Sequence, residues 1–124
     1  MTDIIKIAEL GEKLTGIGVF LDPDEATAFN VSWDNDNKYI NLNTEEIDDI
    51  FDSQLYARGF DYTYRYLQAL LHEIAHYKQW LKYAKRNKKL WDSWNLDDSK
   101  NDYLEYQADK FAIMYYRRFI KERS

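Results

Sequence analysis

The 124-residue chain has no cysteine, which excludes disulfide staples and any thiolate-held metal. A reducing compartment fits that absence, and a cytoplasmic location is expected. Long apolar runs are missing too: no stretch reaches the ~18 apolar residues of a membrane span. Residues 1–6 lack the basic region and following apolar run of a secretion signal, so no membrane partner is expected. Positive charge is in deficit. With a net charge of −5 and a pI of about 5.0, the chain carries no broad electrostatic footprint for phosphates, and nucleic acid is excluded as a main partner. The basic clusters at residues 82–89 and at Arg117, Arg118, Lys121 and Arg123 read as solvated surface. Repeats and low-complexity segments are absent.

The composition, 45% hydrophobic and 31% charged, suits a folded core rather than a disordered chain. At this length, residues 1–124 form one domain. Eleven Tyr and four Trp supply bulky side chains that bury area while keeping a polar end near water.

Hydrophobic spacing outlines the elements. Ile4, Ile7, Ala8 and Leu14 predict an amphipathic first helix closed by Gly16 and Gly18. Ile17, Val19 and Leu21, then Phe29, Val31 and Trp33, alternate as half-buried strands do, with turns at Asp22-Pro23-Asp24 and Asn35-Asp36-Asn37. Residues 39–43 predict a third strand in a hairpin with the second. Asn43 and Glu46 have the form of a capping box, opening a short helix through Ile47, Ile50 and Phe51. From Asp61, the run Leu67, Leu70, Leu71, Ile74, Leu81 and Ala84 marks a long helix. An irregular connection over 86–98 follows, then a final helix from about Ser99 or Asp102 to Arg118, with Leu104, Ala108, Phe111, Ala112 and Tyr115 inward.

Both histidines of the chain fall in His72-Glu73-Ile74-Ala75-His76, an H-E-x-x-H pattern inside that long helix. Residues i and i+4 share a helix face with Cβ atoms about 6 Å apart, so both imidazoles can reach one tetrahedral Zn²⁺. Glu73 points aside, where a general base acting on a water is needed. Catalytic zinc takes three protein ligands, and neither a later His nor any Cys exists here, so the third is a carboxylate. Glu105 on the final helix is the candidate ligand, and Asp109, one turn on, is placed to accept the free N–H of a ligating imidazole. Glu105 as a mere capping residue for Asp102 is the competing reading. Ala108 and Ala112 would let the two helices approach closely.

These residues, HEIAH at 72–76 followed by Glu105-x-x-x-Asp109, resemble the gluzincin metallopeptidases in order and internal spacing. By size the chain is similar to the minigluzincins. Ala108 and Phe111-Ala112 on the later helix also resemble the ImmA/IrrE-type peptidases. The resemblance covers about half of the chain. It implies an α+β, minimal zincin-like domain: a small, mostly antiparallel sheet packed on the active-site helix, with a C-terminal glutamate-bearing helix. An edge strand, expected at 39–43, would border the cleft and pair with an extended peptide. Ala75 stands where many relatives have Gly, and with no third His the oxyanion would be stabilised by Tyr103, Tyr106 or an Arg.

The expected function is hydrolysis of peptide bonds by a zinc-activated water with Glu73 as general base. Fe²⁺, Co²⁺ or Ni²⁺ would accept the same ligands. Three alternatives compete: a latent protease whose C-terminal helix and tail cover the cleft, a partner-specific regulatory zincin of phage or mobile-element type, and a purely structural zinc domain. The expected partner is a peptide or protein substrate, with the chain a monomer or an oligomer.

Overall fold

Helix α1 spans Ile4–Thr15 in the computed structural model, which describes residues 4–31, 37–52, 65–84 and 98–123. Its inner stripe is Ala8 and Gly11, with Ile4, Ile7 and Leu10 packed half-buried on the core. Leu14, expected on that stripe, is 57% exposed, because the last turn overhangs the core. Gly16 ends the helix at φ +76°, a left-handed conformation that a Cβ disfavours, and its N–H donates to Glu12 O at 2.7 Å. Gly11 is needed for contact: a Cβ there would lie 2.7 Å from Leu70 Cδ1 and 2.9 Å from Val19 Cγ2.

Strands β1 (Gly18–Phe20), β2 (Ala28–Val31) and β3 (Lys38–Asn41) form a sheet of order β1-β3-β2. β2 and β3 pair antiparallel, Phe29 opposite Ile40, as the hairpin reading required. β1 runs parallel to β3, so the sheet is mixed rather than mostly antiparallel. The strand expected at the edge is also the central one. Ile40 and Leu42 are fully buried, and burying such side chains stabilises by roughly 1.5–3 kcal/mol each, which draws this segment inside. Buried Asn41 organises the β1–β2 loop: its Oδ1 accepts from Asp22 N, and its Nδ2 donates to the carbonyls of Asp22, Glu25 and Ala26. β1 and β2 are therefore the two edge strands.

Helix α2 (Thr44–Asp52) starts at Asn43, whose Oδ1 accepts from Glu46 N at 3.0 Å. Only half of the expected capping box forms. Glu46 instead accepts from Thr27 N at 2.9 Å, while Asn43 N donates to Thr27 Oγ1. Helix α3 (Arg65–Gln79) continues as a π-helical turn, Trp80–Ala84. It buries Leu67, Leu70, Leu71 and Ile74, and Arg65 in its first turn pairs with Asp48 of α2. Helix α4 (Asp98–Arg123) runs five residues past its expected end and lies along α3 through Leu104, Ala108 and Ala112, all buried. The expected helix start at 61–64, the turn at 35–36 and Trp33, and nearly all of the connection before Asp98 lie outside the described residues. Four helices and a three-stranded mixed sheet make an α+β architecture among the described residues, and no described helix is long and apolar enough to cross a membrane.

Candidate metal centre

Gln68, His72, His76 and Gln79 repeat at one-turn spacing along α3 and so form a polar stripe on one of its faces. α4 lies against that stripe because Ala108 and Ala112 present no bulk, which brings Glu105 over the imidazoles. His72 Nε2 is 3.0 Å from Glu105 Oε2, His76 Nε2 is 3.0 Å from Glu105 Oε1, and the two Nε2 atoms are 3.1 Å apart. Bonds of about 2.0–2.1 Å at tetrahedral angles would put ligand atoms about 3.3 Å apart, so a small outward relaxation fits a divalent ion. The three residues form a group able to hold a metal.

The outer atoms of the rings point to acceptors. His72 Nδ1 lies 2.9 Å from Asp109 Oδ1, and His76 Nδ1 lies 2.8 Å from Gln79 Oε1. Protons on both Nδ1 atoms leave both Nε2 lone pairs, together with an anionic carboxylate, aimed at one small volume. Three electron-pair donors facing one another repel unless a cation or added protons lie between them.

Protons take that part in the ion-free chain. Burial disfavours charge on His72, yet the contacts with Asp109 and Glu105 and the nearby Glu73 outweigh it and raise its pKa to about 10. His76 is also raised: burial opposes the shift, and Glu105 and Glu73 override it. Hydrogen bonds from His72 and His76 hold Glu105 well below the usual carboxylate range.

Glu73 leaves the stripe for the sheet side. Its Oε1 accepts from Phe29 N of β2 at 2.9 Å, and the side chain is nearly buried. Burial pushes its pKa up, against the pull of His72 and His76. Because Phe29 N–H points away from β3, the carbonyl of Phe29 faces away from β3 as well. Beside the site lies a cavity of about 260 Å³, with Ile47, Ile50 and Phe51 of α2 and Ala69 on its apolar side and Glu46, Glu73, Glu105 and Asp109 on its acidic side.

Comparison with protein-family models, with curated proteins and with solved structures finds no match, so the site is read from its own geometry.

His72, His76, Glu105 and Asp109 thus come together as a cluster, with Glu73 beside it. The two tyrosines proposed for an oxyanion do not. Tyr103 and Tyr106 are each 57% exposed and line a separate groove with Lys78 and Lys110, because they sit on other faces of α4 than Glu105. No Tyr or Arg lines the smaller cavity among the described residues. Sequence reading missed Gln68, Gln79, Glu46 and the main chain of β2. For the two glutamines a signal existed, since buried amides in register with His72 and His76 are costly unless they have partners.

Proposed function

We propose that the chain is a zinc-dependent peptidase of the gluzincin type, with His72, His76 and Glu105 holding the ion and Glu73 as general base. The observation that carries this reading is the convergence of two imidazole Nε2 atoms and both oxygens of one carboxylate, 3.0–3.1 Å apart, on an H-E-x-x-H helix and the helix packed against it. When bound there, the ion supplies Lewis acidity, polarising a carbonyl and making a water acidic near neutral pH. Asp109 orients His72 by accepting at Nδ1. Glu73 keeps one oxygen on Phe29 N and has the other to take a proton from water and return it to a leaving amine. Its raised pKa, the result of burial, brings it closer to the range a general base needs at neutral pH. On the outer side of β2, where the N–H groups of Thr27 and Phe29 are held by Glu46 and Glu73, the carbonyl of Phe29 offers a main-chain acceptor to an extended peptide, and the wall of Ile47, Ile50 and Phe51 suits an apolar side chain.

A second reading, a peptidase restricted to one partner in a regulatory setting, uses the same three ligands and the same base. Elemental analysis of the purified protein beside His76→Ala tests the shared premise. About one zinc per chain in the wild type and almost none in the variant is expected, and equal metal content in the two would sink it. Cleavage of unfolded protein substrates against a single partner then separates the two readings.

A further inference from the structure

Gln79 is the least expected member of the cluster. It is 7% exposed, uncharged, and three residues beyond the last motif histidine. Its amide has only one consistent orientation. Leu104 O, 2.9 Å from Gln79 Nε2, can only accept, so the amide nitrogen faces it. The second Nε2 proton is directed at Gln107 Oε1 at 3.4 Å, which leaves the Gln107 amide nitrogen to donate to Tyr103 Oη at 2.9 Å. Gln79 Oε1 therefore faces His76 Nδ1 at 2.8 Å, and as a pure acceptor it requires the proton there. Only then does His76 Nε2 offer its lone pair.

We propose that Gln79 is a positioning residue for the metal centre, fixing the tautomer of His76 with its oxygen and the approach of Glu105 with its nitrogen. The second role follows from its partner. Leu104 immediately precedes Glu105 and is itself buried, so a single amide ties the second imidazole to the turn of α4 that carries the carboxylate. The two histidines are consequently supported unequally, His72 by the anionic Asp109 and His76 by a neutral amide held between helices. Loss of such an outer partner typically lowers metal affinity by about 10–100-fold.

This inference rests on the metal reading above, and the experiment separates the two. Affinity for Co²⁺ and Zn²⁺ is measured by chelator competition for the full chain, with the visible Co²⁺ spectrum recorded alongside. Gln79→Met keeps the volume and removes both hydrogen-bonding atoms; Gln79→Glu keeps an acceptor for His76 Nδ1 and removes the donor to Leu104 O. The expected order of affinity is wild type, then Glu, then Met, with Met about 10–100-fold weaker than wild type and its Co²⁺ bands shifted. Thermal unfolding of the ion-free variants shows whether they fold, and comparison is made between folded forms. If Met matched the wild type in affinity and spectrum, or Glu were no better than Met, the role of Gln79 would be overturned while the metal reading stood. If the wild type itself bound neither ion, the metal reading would fall first.

Discussion

Helices α3 and α4 border two cavities of opposite character. The smaller, about 260 Å³, holds His72, Glu73, Glu105 and Asp109. The larger, about 970 Å³, is lined by Ala75, Phe111, Tyr103, Tyr106 and Met114, and every charged residue in its lining is a cation: Lys78, Lys82, Lys110 and Arg117. The difference lies in how the charges are met. In the wide groove Lys78 Nζ sits 5.3 Å from the Phe111 ring and Lys110 Nζ 4.9 Å from that of Tyr106, so the aromatic faces partly satisfy the cations, and solvent does the rest. In the narrow cavity the imidazoles of His72 and His76, 18% and 15% exposed, meet the half-exposed carboxylate of Glu105 instead. Volume does not single out the cluster here; the meeting of two imidazoles with the carboxylates of Glu105 and Asp109 does. Gln79 lines the wide groove while touching His76, and so forms the wall between the two.

The largest expected effect that tests this contrast is on turnover. Glu73→Gln should lower peptide hydrolysis by about 10²–10⁴-fold while zinc content stays at the wild-type level. Near-normal hydrolysis by that variant would remove Glu73 as the base. Next in size is metal retention. Glu105→Ala should weaken zinc binding by more than the ~10–100-fold expected of Asp109→Ala, and Asp98→Ala, at the start of α4, should change it little. Equal losses for Glu105→Ala and Asp98→Ala would take Glu105 out of the centre.

The pH response of the ion-free protein sharpens the comparison further. His72 is raised to about 10, and His76 and Glu73 are raised above 6.5 and 4.5. A raised folded-state pKa adds stability that is complete below the unfolded value and is lost as pH rises through the folded value. Glu105, depressed by the imidazoles, adds stability above 4.5 that is lost as pH falls through its folded pKa. The melting temperature of chelator-treated protein should therefore fall between pH 6.5 and about 10. With zinc present it should rise from acid to neutral pH, as protons stop competing for the imidazoles. A flat profile in the ion-free protein would mean that the cluster is not charged as described.

Two smaller effects follow. Gly11→Ala forces a Cβ against Leu70 and Val19 and should cost about 1–3 kcal/mol in denaturant unfolding, while metal affinity of the folded protein is kept. Exchange of Lys110 for Glu in the wide groove should alter stability by no more than about 0.5 kcal/mol and leave zinc content unchanged. A loss of metal from the Lys110 variant would show that the two cavities are not independent.

Much of the arrangement was legible because it is local. The i, i+4 spacing of His72 and His76 sets both rings on one face whatever surrounds them, and Asn43 caps α2 through its own side chain. Errors came where distant segments compete. Glu46 was expected to close its capping box, but Thr27, 19 residues away, offered a better-placed donor. Residues 39–43 were expected at the sheet edge, yet strand order depends on which apolar segment fits between two others, and alternation alone is silent on that. Leu14 fits the helix wheel but overhangs the core. Tyr103 and Tyr106, close in sequence to Glu105, face elsewhere because each residue turns about 100° around the helix axis.

The sequence by itself determined that two imidazoles and a carboxylate would share one α3 segment, because helical periodicity depends only on neighbouring residues. It also restricted the third donor to an acid, since no cysteine and no later histidine exists. Tertiary structure alone decided that Glu105 lies over both rings, that β2 hands its Phe29 N–H to Glu73, and that Gln79 spans from His76 to Leu104. Those contacts join residues 25 to 44 positions apart. The two that join α3 to α4 exist only once packing at Ala108 and Ala112 has set the distance between those helices.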